Sequence, residues 1–164
     1  MITPAVAFYD VVLWLHIAAV VVGFGSTFAY AVIPTHVAKN SPRAMPGLLR
    51  AMTANDRTVV TIGGTIVLLS GIYLAADRWE FSDFFVAWGI LAIVLLLGLV
   101  GAVFIPNGRR AAEAADRDIE RAGSGPVEFG PEFNKANDKL AKLGPFAGLV
   151  IVLTIYVMAA KPFL

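Results

Sequence analysis

The chain contains no cysteine, which removes disulfides, thiolate metal sites and cysteine nucleophiles from consideration. Charge is scarce as well. Only 15% of the 164 residues are Asp, Glu, Lys or Arg, against 58% that are hydrophobic, and the mean hydropathy of +0.75 is unusual for a soluble domain. In four stretches these charged residues are missing altogether: Val11 to Ile33, Val59 to Ala76, Phe84 to Ile105 and Leu143 to Ala160. At ~18 to 23 residues and ~1.5 Å per residue, each is long enough to cross a hydrocarbon core of about 30 Å. Lipid offers the backbone no hydrogen-bond partners, so such segments must satisfy their own and be helices. The expectation is an all-α, polytopic membrane protein, one domain over residues 1–164. Four transmembrane helices, at about 11–33, 59–76, 84–105 and 143–160, would form an antiparallel bundle joined by longer loops at 34–58 and 106–142.

Positive charge is nearly absent from one side of this arrangement. Loop one holds Lys39, Arg43, Arg50 and Arg57, and loop three holds Arg109, Arg110, Arg117, Arg121, Lys135, Lys139 and Lys142, together eleven of the thirteen basic residues. The short second loop has Arg78 against Asp77, Glu80 and Asp83, and the C-terminal tail has only Lys161. The positive-inside rule then places loops one and three in the cytoplasm and both termini outside. No Lys or Arg precedes the first run, and it is too long for a signal peptide, so it is read as a retained span although Ala29-Tyr30-Ala31 resembles a cleavage site. Trp79, Phe81, Phe84, Phe85 and Trp88 read as an aromatic belt at the outer interface. In loop three, Arg109 to Ala122 predicts a helical extension, with Glu113 four residues before Arg117, ended by Ser124-Gly125-Pro126. Acidic residues are interspersed among the basic ones and stacking aromatics are lacking, so nucleic acid is not an expected partner.

The two halves echo each other weakly. Trp14 to Ile33-Pro34 and Trp88 to Ile105-Pro106 each lead into a basic loop and a returning span, which suggests either two hairpins of one orientation or prolines that end helices at the membrane boundary. Small residues mark packing faces: His16, Ala19, Gly23, Ser26 and Tyr30 on span one; Thr58, Thr61, Thr65, Gly64 and Gly71 on span two; Gly98 and Ala102 on span three. On span four, Gly144 and Gly148 form a small-xxx-small pair that predicts close helix approach.

No phosphate loop, paired-carboxylate site or Ser-His-Asp pattern is visible, so an independent hydrolase or transferase is not expected. Apart from tyrosines, His16 is the only ionisable residue inside the spans. It lies ~10 Å from the outer boundary near Tyr9, and Ser70 and Thr154 lie at about the same depth. Met158 is near in height. An imidazole there can ligate haem iron or a metal, or relay a proton, with Met158 or a second copy's His16 as the other axial ligand. The plainer alternative is a neutral His bonded to a neighbouring helix, with Ser70 and Thr154 bonding their own i−4 carbonyls. His36, some 30 Å away along the helix, reads as a solvated residue.

Tyr9-Asp10, Trp14-Leu-His16, Gly23-Phe-Gly25, Ser70-Gly71-Ile-Tyr73 and Trp88 resemble a bacterial family of predicted four-span integral membrane proteins, the domain of unknown function 2269. That family is distantly similar to CopD-like copper-resistance proteins and HemJ-like protoporphyrinogen oxidases, which place a His in an early span. The resemblance carries over His16 alone; the further intramembrane His or Lys positions of those relatives are absent.

Two functional readings follow. The first is a non-enzymatic accessory or scaffold subunit that packs, through its glycine-lined faces, against other membrane subunits or a second copy. It stands ahead because one His is a thin basis for a cofactor. The alternative is a haem- or metal-binding, redox-associated protein that uses His16, with Met158, Ser70 and Thr154 around it.

Overall fold

A computed structural model describes residues 7–163. Four long helices account for most of them: α1 (Phe8–Asn40), α2 (Pro42–Arg78), α3 (Phe84–Ala122) and α4 (Pro131–Ala160), each with a stretch apolar enough to cross a membrane. Strands are absent among the described residues. The protein is an all-helical integral membrane protein, and its burial pattern is that of lipid solvation, with Trp14, Val21, Val22, Leu91 and Tyr156 all more than 60% exposed. The expected placement of the termini falls in part on residues 1–6 and 164, which lie outside the described residues.

The helices exceed the bilayer. At ~1.5 Å per residue, the 37 residues of α2 run ~55 Å, so roughly half of the helix projects beyond a 30 Å core. Here the structure departs from the expected loops. Loop one, at 34–58, is almost wholly helical, comprising Ile33–Asn40, Met45–Asn55 and the start of a π turn. The predicted helix over Arg109 to Ala122 is present, as Ile105–Ala122.

These projecting parts have a core of their own. Met45 and Leu49 of α2, Ala111, Ala112, Ala114 and Ala115 of α3, and Phe133 and Ala136 of α4 are buried together. Alanine at these spacings lets helix backbones approach closely while larger side chains from the neighbours fill the gaps. Arg117 does not pair with Glu113 as the i,i+4 order predicts; it reaches across to Glu132 of α4, while Arg50 pairs with Asp116. Asp118, buried, accepts hydrogen bonds from the Gly130 amide (2.8 Å) and Arg121 (2.9 Å), and so ties the α3–α4 connection to α3.

A separate membrane core joins Phe24 of α1, Val60 of α2, Ala92, Ile93, Leu96 and Val100 of α3, and Ala147, Val150 and Ile151 of α4. Between the two cores the helices are irregular. Ser26–Ala31 of α1 is a 3₁₀ turn, and Asp56–Val60 of α2 and Val100–Phe104 of α3 are π turns that touch each other. Pro34 and Pro106 sit just after two of these irregular turns and do not end their helices. The local change of pitch absorbs the missing N–H and the ring's clash with the preceding turn.

The closest helix approach is between α1 and α2. A Cβ placed on Gly63 would lie 2.7 Å from the Gly23 Cα, and the Ala19 carbonyl lies at 3.3 Å. Gly23 and Ala19 were expected on the inward face; Gly63 was not singled out. The Gly144 and Gly148 pair does not perform the role its spacing predicts: a Cβ on Gly144 meets nothing within 4 Å, and one on Gly148 meets only a Phe28 ring carbon, at 3.9 Å.

Candidate functional site

In the half of the bundle toward the α2–α3 turn, the four helices do not close on one another. Phe8–Gly25 of α1 packs chiefly on α2, and α1 comes against α4 lower down, at Ser26–Ala31. The gap above is a cavity of about 450 Å³ walled by all four helices, a volume ordinary for a small-molecule site. Its walls are almost wholly apolar. Ile17 and Val21 on α1 and Ile155 on α4, all at least half exposed, line it too, so the cavity opens between α1 and α4 toward lipid.

His16, Thr154 and Met158 line this cavity. Ser70 does not; it stands behind His16 on α2, with its Oγ 2.9 Å from His16 Nδ1. The Ser70 hydroxyl hydrogen is committed elsewhere, donated to the Ile66 carbonyl at 2.6 Å. With that hydrogen on Ile66, Oγ is an acceptor toward Nδ1–H, an arrangement that favours the Nδ1-protonated imidazole with its lone pair on Nε2. An outer partner on one nitrogen and a free lone pair on the other is the arrangement found behind metal-ligating histidines.

Two glycines make room for these side chains. The His16 ring lies against Gly71, where a Cβ would come 3.2 Å from Cε1. Met158 lies over Gly89 of α3, where a Cβ would collide with the Met158 methyl. Thr154 is held at the opposite wall, accepting from Trp88 Nε1 at 3.0 Å and donating to the Val150 carbonyl at 2.8 Å. The i−4 bonds expected of Ser70 and Thr154 are thus both made, and the His16–Ser70 contact is made as well. His16 and Thr154 do not bond each other.

At the mouth beside the α2–α3 turn stand groups that the sequence reading passed over. Lys161 ends α4 in the left-handed region (φ 43°) and lines the cavity, with Nζ 3.9 Å from the centre of the Trp79 ring. Its signal was visible: it is the only basic residue after span four. Tyr9 lines the mouth as well, under the Arg78 guanidinium at 3.7 Å.

At the other end of the membrane core, Asp56 is 8% exposed on its π turn, beside the Tyr30 hydroxyl. Asn55 bridges Tyr30 (2.8 Å) and Ser26 (3.0 Å), and the Tyr30 hydroxyl donates to the Met52 carbonyl (3.2 Å). Asp56 escaped notice because it lies among basic residues in a segment that read as a solvated loop. No group of three His, Cys, Asp or Glu is gathered anywhere among the described residues, so a metal bound at His16 would need its other ligands from a macrocycle or a partner.

Residues 10–162 match the model of a family described as "Predicted integral membrane protein (DUF2269)". The chain belongs to this family. No curated protein and no solved structure matches it significantly.

Proposed function

We propose that this protein binds haem in the cleft of its outer half, where His16 would hold the iron. The observation that carries this reading is the His16–Ser70 contact: Ser70 Oγ, its own hydrogen given to Ile66, stands 2.9 Å from Nδ1 as an acceptor, and His16 lines an apolar cavity of about 450 Å³ with Nε2 left as the ligating atom. The residues present fit the group. Apolar walls suit the faces of a porphyrin, and Met158, which lines the same cavity, is a thioether that would help hold the iron. Bound there, haem would supply one-electron chemistry. The chain's own part is to orient the imidazole through Ser70 and to keep water from the site.

Protein made with adequate haem supply and purified in detergent is expected to show a Soret band that shifts on reduction. His16→Ala should abolish the band while the protein stays folded, because the substitution deletes an iron ligand and a buried polar group together. A colourless wild type would sink the haem reading. His16 would then be a structural donor whose loss costs about 1 kcal/mol, the size of an interhelical hydrogen bond in a membrane. The accessory role would be left, and one observation favours it: Cβ atoms on Gly98, Gly101 and Gly144 would meet nothing within 4 Å, so these positions could admit a helix of another subunit or a second copy.

We further propose that the protein resides in a bacterial plasma membrane with its basic end in the cytoplasm, on the strength of the eleven basic residues gathered there. Because native cysteine is absent, single cysteines report cleanly. Ser82→Cys should react with an impermeant thiol reagent on intact cells, whereas Ser41→Cys and Ser124→Cys should not. Labelling at position 124 from outside would reverse the orientation.

A further inference from the structure

The outer mouth of the cleft carries a charge that its apolar walls do not require. Lys161 Nζ lies over the Trp79 ring at 3.9 Å and 5.5 Å from the centre of the Phe85 ring, on the cavity's rim. Its backbone adopts φ 43°, a region that L side chains seldom occupy, and there α4 ends. Three acidic residues stand on the α2–α3 turn, Asp77, Glu80 and Asp83, and none of them pairs with Lys161. Asp77 pairs with Arg78 at 3.5 Å, and Asp83 accepts from the Glu80 amide at 3.0 Å. Arg78 in turn is spread over Tyr9. Among the described residues no ion pair includes Lys161. An ammonium has three donors, and a ring beneath it leaves hydrogens free for an anion.

We infer that Lys161 reads a carboxylate at the outer end of an amphipathic molecule whose apolar body fills the cleft. The inference builds on the proposed binding role of this cavity and specifies the chemistry of its occupant. Depth fits: the mouth at the level of Tyr9 lies ~10 Å from His16 at 1.5 Å per residue, close to the reach from a porphyrin's iron to its propionates. A long-chain fatty acid would present the same group from the same place, with its chain lying along the apolar walls. The shared feature is a carboxylate at Lys161, with haem and fatty acid as its two sources.

The test uses the full-length protein in detergent micelles, with Lys161→Gln to remove the charge and Lys161→Arg to keep it. The first pair of probes is haem and haem dimethyl ester, followed in the Soret region. The second pair is a brominated stearic acid and its methyl ester, followed by quenching of Trp79 and Trp88 in a Trp14→Phe background. Wild type should prefer an acid to its ester by about 10-fold or more, as for a charge-assisted hydrogen bond at a partly buried site. The preference should fall to near unity in Lys161→Gln and return in Lys161→Arg, with unchanged thermal stability and, for haem, an unchanged band position. If haem and its ester bind wild type equally well, and the stearates do also, Lys161 does not read the ligand, although the haem reading survives. If haem fails to bind but the brominated acid shows a preference that depends on Lys161, the inference holds with a fatty acid as the source and the haem reading falls. Absence of acid preference in both pairs overturns it.

Discussion

Gly63→Leu is expected to lower the melting temperature of the detergent-solubilised protein more than any other glycine substitution in the membrane core. The reason is geometric. Even the first side-chain carbon at this position would stand 2.7 Å from the Gly23 Cα, a contact with backbone and not with a side chain able to turn away. The helices must then separate, and in lipid their association depends on close packing, because burial from water contributes little between apolar helices. Overpacking commonly costs 1–3 kcal/mol, and a backbone-on-backbone crossing should reach or exceed about 3 kcal/mol. Gly98→Leu and Gly148→Leu are the controls. The first faces open space and the second has only the Phe28 ring at 3.9 Å, so both should be nearly neutral. Equal melting temperatures for the three variants would show that α1 and α2 do not cross at these glycines.

A charge placed in the alanine core of the projecting helices should be as damaging, but in a different part of the molecule. Ala115 is fully buried beneath α2 and α4. Ala115→Glu puts a carboxylate where no cation or water can reach it, a cost of several kcal/mol that the chain avoids by unpacking the three helices there. The expected signature is rapid proteolysis between Gly123 and Gly130, with the membrane-embedded halves left protected, because the two cores share no buried residue. Ala141→Glu, at an exposed position of α4, should leave the digestion pattern unchanged. Protection of Ala115→Glu equal to that of wild type would mean that the projecting parts are not a packed unit.

What could be read from the residues alone followed from length and polarity. Four charge-free runs can do little else than cross a membrane as helices, and the helix after Pro106 was foreshadowed by its Ala-rich, charge-paired composition. The projecting helix of loop one was hidden, because Met45, Leu49 and Thr53 are too few and too widely spaced to stand out between prolines and arginines. Small residues proved an ambiguous guide. Gly23 and Gly71 mark real contacts, Gly144 meets nothing and Gly148 only the Phe28 ring, and Gly63 is decisive only because a second glycine lies opposite, a fact of pairing that no single segment contains. At the cleft, His16 was found by its polarity and Met158 by its depth. Lys161 entered only as the single charge of the C-terminal tail and Asp56 was not singled out at all; the end of α4 curling over Trp79 and the π turn of α2 give them their surroundings.

The gap between α1 and α4 faces hydrocarbon, so the cleft would draw its occupant from the membrane and not from water. Transfer of each methylene into the bilayer is worth about 0.8 kcal/mol, so an apolar body equivalent to ten methylenes is enriched there by about 8 kcal/mol, close to a million-fold. Modest attraction between cleft and ligand is then enough for full occupancy, and discrimination falls to the few polar groups at His16 and the rim. Solubilisation would dilute that reservoir, and occupancy after purification should fall as detergent is raised while the protein itself remains intact.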